Sequence, residues 1–256
     1  MRRTGAILAL LSLTLACRLF SPVEPENATP AQPDTGGTSQ PAAAPSLTIE
    51  GLYAEYSGEV DTGGGISSYL NAGGAVDQLE SQLANTQTGS TEMIKTQVLA
   101  QDVTGDGCED VIVSLALPSV PGYGDAILAA YTCQGDRYVR HNLFGRVGAG
   151  SRGEGLYDGG GAHIEGVKDL NADGLPEIPF YVASLSELYI AEWNGTEFVS
   201  LIEYVDELGT PQGYIPAREG AFEIKDLDED GVLEIVLSDP PGVWRWDGSL
   251  FQPVDE

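Results

Sequence analysis

Basic residues are scarce in this chain: 12 Lys and Arg stand against 39 Asp and Glu, a formal net charge of −27 over 256 residues. Gripping phosphates takes clustered Lys and Arg, so such a surface excludes nucleic acid and anionic lipid headgroups as partners. Histidine is scarcer still. His141 and His163 are the only two, neither lies near a nucleophile or in a zinc-ligand cluster, and both read as ordinary strand residues. Long apolar runs are missing beyond the N-terminal stretch, so no later segment of the sequence is long enough to span a bilayer. What is plentiful is Gly (33), Pro (15) and short runs of Val, Ile, Leu and Tyr, the composition of a soluble β-type protein of one or two domains. The acidic excess attracts divalent cations wherever carboxylates are grouped at ligand spacing.

The first residues differ from the rest. Met1, Arg2 and Arg3 supply a positive start, and residues 7–16 form an apolar stretch too short to cross a membrane as a mature helix. This predicts a signal peptide over residues 1–16. The stretch ends in Leu13-Thr14-Leu15-Ala16-Cys17, which resembles the lipobox of bacterial lipoproteins, with Thr14 where that pattern carries an aliphatic residue. The resemblance implies a lipidated Cys17 and an extracytoplasmic, membrane-tethered chain; the alternative is an ordinary cleaved signal and a secreted one. Residues 17–46 are rich in Pro, Ala, Thr, Ser and Gln, bury too little surface to fold, and read as a disordered tether. Cys108 and Cys133 remain as a pair in an oxidising compartment. If their two predicted strands form a hairpin about Pro121 and Gly122, the cysteines lie nearly opposite each other and a disulfide is reasonable; the alternative is two buried thiols.

Three segments of the chain repeat one acidic pattern. The first runs Asp102-Val-Thr104-Gly-Asp106-Gly-Cys108-Glu-Asp110, the second Asp169-Leu-Asn171-Ala-Asp173-Gly-Leu175-Pro-Glu177, the third Asp226-Leu-Asp228-Glu-Asp230-Gly-Val232-Leu-Glu234. Side-chain oxygens at positions 1, 3, 5 and 9, with the backbone carbonyl at position 7 (Cys108, Leu175, Val232), can converge on one hard cation. Gly107, Gly174 and Gly231 at position 6 allow a sharp turn with positive φ. An EF-hand opens the same way but needs an acid at position 12 and flanking helices. Position 12 here is Val113, Phe180 and Leu237, inside short β-branched runs that read as buried strands. The loops therefore predict up to three calcium ions in strand-loop-strand elements. With Thr104 at position 3 the first site is expected to bind weakest, and with Asp228 there the third is expected to bind tightest.

Each copy continues alike, through a third strand ending near Tyr131, Trp193 or Trp246, a tight turn, and a fourth strand beginning at Tyr138, Phe198 or Phe251. The expected unit is a four-stranded antiparallel meander that must stack on its neighbours to bury both faces. These segments resemble FG-GAP/VCBS repeats, the calcium-loop blades of integrin α-subunits and many bacterial surface proteins. The resemblance covers roughly residues 95–256 and implies a β-propeller-like array with calcium in each hairpin loop, and a role in adhesion or recognition of a protein or glycan. The expected fold is mainly β, a small or irregular array of blades at about 96–150, 160–205 and 220–256. Three blades fall short of a usual closed propeller, so residues 47–95 are expected to supply a cap or degenerate blade. Residues 47–56 read as a possible strand and 75–85 as a helix with Val76, Leu79 and Leu83 on one face. Without a cap, two copies of the chain would have to complete each other.

Three other features carry less. Gly148, Gly150 and Gly153 match a dinucleotide-binding spacing, but no helix follows. Trp193, Trp244, Trp246, Tyr131 and Tyr189 could stack sugars, but at blade spacing they read as core. No catalytic constellation is visible, so a non-enzymatic binding module is favoured over a polysaccharide- or ester-cleaving enzyme or a purely structural envelope lipoprotein.

Overall fold

The computed structural model describes residues 46–56, 63–86, 96–117, 125–143, 162–183, 185–205, 209 and 211–254. The expected signal peptide, Cys17, most of the tether, the turn about Pro121 and the glycine pattern at 148–153 lie outside these residues.

Three short helices come first: α1 (Ile49–Tyr56), α2 (Ile66–Asn71) and α3 (Val76–Thr86). In α3, Leu79 and Leu83 are one turn apart and both fully buried, with Val76 packed beside them, as the periodicity predicts. The strand expected over 47–56 is a helix instead. Thr48 caps it, its Oγ1 accepting the Gly51 N–H at 3.0 Å and its carbonyl accepting the Leu52 N–H at 3.0 Å. The buried residues Leu52 and Glu55 sit at helical spacing, a pattern too short in sequence to separate from a strand. Gly51 is required, because a Cβ there would come within 2.3 Å of the Gly64 carbonyl carbon.

The remaining described residues form three larger open antiparallel sheets and one two-stranded ribbon. The first is the meander β1 (Gln97–Gln101), β2 (Asp110–Leu117), β3 (Asp125–Gln134) and β4 (Arg137–Asn142). The second runs β5 (Ala162–Ile164), β6 (Ile178–Val182), β7 (Glu187–Trp193) and β8 (Phe198–Ser200). A two-stranded excursion, β9 (Tyr204–Val205) with β10 (Pro211–Gln212), then leads to β11 (Ile215–Pro216), which shares the outer edge of β7 with β8. The third sheet is the meander β12 (Phe222–Lys225), β13 (Glu234–Ser238), β14 (Pro241–Trp246) and β15 (Phe251–Val254).

Alternation along these strands sends side chains from opposite faces into different cores, three among the described residues. Val111, Val113 and Leu115 of β2 pack with Leu52, Ile66, Leu79 and Leu83 of the helices. Ile112 of β2, with Leu128 and Ala130 of β3, packs instead with Ile164, Ile178 and Phe180 of the second sheet. The opposite face of that sheet, through Tyr181, Leu188 and Ile190, meets Ile235, Leu237, Trp244 and Phe251 of the third. The helices thus cover the first sheet, and each sheet covers the next. Polar links join the layers: Gln97 exchanges hydrogen bonds with the Ile164 backbone, accepting its N–H at 2.8 Å and donating to its carbonyl at 3.1 Å, and Ser114 donates to the Ala162 carbonyl at 2.6 Å. The outward face of the third sheet is charged and partly exposed, with the Glu223–Lys225 pair and Arg245. No helix among the described residues is long and apolar enough to cross a membrane.

One buried carboxylate fastens the helical layer. Glu55 accepts the N–H groups of Ile66 (2.5 Å) and Ser67 (3.1 Å) and the Ser67 hydroxyl (2.5 Å), while its own carbonyl accepts from Arg140 of β4 at 2.7 Å. The nearby Tyr131 phenol is held well above its ordinary range by burial, with the Glu55 charge adding to the effect. Glu55→Ala strands the donors at the start of α2 in the interior. It is expected to lower the unfolding free energy by roughly 1–3 kcal/mol, read as an earlier urea midpoint with the far-UV β signature of the folded state retained.

Candidate metal centres

The three acidic loops join β1 to β2, β5 to β6 and β12 to β13, so each is a strand-loop-strand element as its sequence predicts. Val113, Phe180 and Leu237, where an EF-hand would need its closing acid, are buried strand residues. Three hydrogen bonds recur in every loop. The position 9 carboxylate accepts the N–H of position 2: Asp110 from Val103 at 2.9 Å, Glu177 from Leu170 at 2.6 Å, Glu234 from Leu227 at 2.7 Å. The position 1 carboxylate accepts from the position 6 glycine: Asp102 from Gly107 at 2.8 Å, Asp169 from Gly174 and Asp226 from Gly231 at 3.0 Å. The position 5 carboxylate holds the N–H of position 7, with Asp106 to Cys108, Asp173 to Leu175 and Asp230 to Val232 all at 2.8 Å. Backbone φ is positive at position 6, and also at position 4, where Gly105 (74°), Ala172 (61°) and Glu229 (64°) stand. The second turn at position 4 went unread because only the first copy spells it with glycine; Ala172 and Glu229 hold a conformation that side chains disfavour.

The loops differ in what their acids do next. In the second, Asp169, Asp173 and Glu177 bring one oxygen each within 4.8 Å of one another, and in the third Asp226, Asp228 and Glu234 do the same. In both groups the position 9 acid is buried beneath two exposed ones. These are two acidic triads that could hold a metal ion. Among the described residues the acids of the first loop form no such group. Thr104 lies 3.4 Å from Asp102 there, and Asn171 of the second loop is buried and accepts the Asp173 N–H at 2.9 Å.

The position 9 acids separate the three most clearly. Asp110 is fully buried and has both oxygens engaged: one takes Val103 and Thr104, the other takes the Cys133 N–H at 2.8 Å. Burial still raises its pKa against those bonds. Beside it Cys108 and Cys133 form a disulfide, with Cα atoms 5.7 Å apart, as the sequence suggests. Glu177 is equally buried, but its Oε1 has no hydrogen-bond partner. Burial, then the neighbouring charges of Asp173, Glu192 and Asp169, push its pKa up to about 7. Glu234 faces a guanidinium: Arg245 Nε stands 3.7 Å from Glu234 Oε1, and a terminal nitrogen of Arg245 stands 3.4 Å from Asp228.

Glu192 and Arg245 were not read as site residues from the sequence. The strand register finds them. Val111, Ile178 and Ile235 at position 10 pair with Tyr131, Ala191 and Trp244. One step further, position 9 faces Thr132, Glu192 and Arg245, three unlike residues at one equivalent place. The aromatic residues weighed as a sugar platform are spread through the packing: Tyr131 and Trp244 are buried in different cores, Tyr189 stacks on Phe180, and Trp193 meets Phe198 and His141.

No protein-family model matches the chain, and searches of curated proteins and of solved structures return no match either.

The orphaned oxygen of Glu177 has a measurable cost. In metal-free buffer Glu177→Gln, which removes the charge and keeps the shape, is expected to stabilise the chain by about 1 kcal/mol, a rise of about 2–4 °C in melting temperature. Glu234→Gln, which discards the Arg245 contact, is expected to give no such gain. Calorimetric melts of the two variants beside the parent check this.

Proposed function

We infer that the chain is a calcium-binding repeat module of the FG-GAP/VCBS kind, held outside the cytoplasm by a lipid on Cys17, and that it binds a protein or glycan without catalysis. The observation that carries the calcium reading is the buried, unpartnered Glu177 Oε1 set beside Asp169 and Asp173. A buried carboxylate oxygen without a donor or counter-ion is expensive, and a cation in that place removes the cost. The chemistry of the donors favours calcium. They are carboxylate, amide and carbonyl oxygens on an irregular loop, with no nitrogen or thiolate among them, and calcium accepts six to eight oxygens at ~2.3–2.6 Å in flexible geometry.

Three meanders with an acidic loop in the first hairpin suit an irregular, capped propeller-like array. The Cys108–Cys133 disulfide suits an oxidising compartment, in keeping with the leader and lipobox pattern. The cation serves chiefly to neutralise and fix a hairpin, so its binding is linked to folding. Partner recognition then belongs to the surface of the array, which the acidic composition turns away from nucleic acid.

A thermal melt tests this directly. Calcium at about 100 times its dissociation constant contributes about 2.7 kcal/mol, so the melting temperature is expected to rise by about 5–10 °C over chelator. Identical melts in calcium and in chelator would sink the calcium reading.

A further inference from the structure

The three loops share their internal hydrogen bonds, yet each meets a different residue across the sheet. Thr132 of β3 is neutral, its hydroxyl 3.0 Å from His141 Nε2. Glu192 of β7 is an acid whose Oε1 accepts from Asn171 at 3.5 Å. Arg245 of β14 is a base in contact with two of the three acids of the third triad. The loops are also joined in a row. Leu175 of the second approaches Gly105 of the first so closely that a Cβ on Gly105 would lie 2.5 Å from it, and the Leu170 carbonyl accepts the Leu233 N–H of the third at 2.8 Å.

The geometry points to three separate devices closing three copies of one loop: the Cys108–Cys133 disulfide in the first, a single divalent cation in the second with Glu192 as an additional acidic ligand, and the Arg245 guanidinium in the third. In the second and third loops the cross-strand residue opposite position 9, Glu192 or Arg245, selects the device; in the first the disulfide comes from Cys133, one position beyond Thr132. This inference rests on the calcium reading above and reduces its three sites to one.

Each assignment has its own physical reason. In the first loop both oxygens of Asp110 are already engaged by three backbone N–H groups, and a covalent bond already ties the loop to β3. In the third loop the guanidinium supplies the positive charge from within the chain, and an incoming divalent ion would have to displace it or be repelled by it. In the second loop the neighbouring Lys168 pairs with Glu177 through backbone hydrogen bonds, and no ion pair to Asp169, Asp173 or Glu177 is found among the described residues; the cross-strand partner brings a fourth carboxylate beside the triad, against Asn171. A cation there relieves four acids together. Counting carboxylates along the sequence ranks the third loop tightest; the residue that cancels its charge comes from a strand outside the motif.

The test is calorimetric titration of calcium into the chelator-treated full chain, with variants at the cross-strand position. One equivalent of calcium is expected in the parent. Asp169→Asn and Asp173→Asn together abolish that binding, while Asp226→Asn leaves it intact. Glu192→Gln weakens it by about tenfold or more, Glu192→Arg removes it, and Arg245→Glu adds a second equivalent. Circular dichroism melts of each variant verify folding. Should Arg245→Glu fail to fold, the parent stoichiometry and Glu192→Gln decide the matter. Two or three equivalents in the parent, or Glu192→Gln with unchanged affinity, would overturn the inference while leaving calcium binding in place. A parent that takes up no calcium at millimolar concentration would overturn both readings.

Discussion

The bond from the position 9 carboxylate back to the N–H of position 2 is the constraint on which the rest of this structure depends. It closes each acidic loop on itself and brings two antiparallel strands into register. It also buries a carboxylate at the head of the second strand. The residue whose N–H is taken, Val103 or Leu170, turns its side chain into the core shared with the next sheet. In the third loop the same residue is Leu227, which meets no further sheet among the described residues and is 42% exposed. One polar contact thus sets both the turn and the packing between layers. The burial that makes it strong also makes the second oxygen of each acid a problem the protein must solve.

The solutions differ because the layers differ. Two more N–H groups satisfy Asp110, from Thr104 and from Cys133 on a strand that the disulfide holds close. Glu177 and Glu234 carry one more methylene than aspartate, and nothing within their own loops satisfies the second oxygen. What it meets depends on the neighbouring strand, a glutamate in one unit and an arginine in the other. Repeats that look equivalent in their motif have therefore diverged in the residue facing it. The same logic of buried anion and donor operates at Glu55, where backbone N–H groups of α2 take the place of a cation and the helices are fixed to the first sheet.

Much of the architecture was legible from local pattern. The second strands are apolar and β-branched, the third end at tight glycine turns, and both fall where the sequence places them, from Asp110–Leu117 to Pro241–Trp246. The helix at Val76–Thr86 shows its apolar stripe in Leu79 and Leu83. The Ile49–Tyr56 helix did not, because its cap at Thr48 and its buried Glu55 take their meaning from Gly64, Ile66 and Ser67, which are distant in sequence. A buried carboxylate in a short segment cannot be recognised until its donors are in view.

The sequence by itself determined the acidic loops, their glycine turns and the strands on either side. Each of these depends on residues a few positions apart, and steric and hydrogen-bonding rules at that range are local. It also brought Cys108 and Cys133 together, since one hairpin suffices to pair them. Only the tertiary structure decided which loops gather three acids, which buried oxygen is left alone, and that Glu192 and Arg245 stand opposite Glu177 and Glu234. Those facts depend on strand register and on burial, and a carboxylate's charge state and affinity follow from the groups that register places across from it.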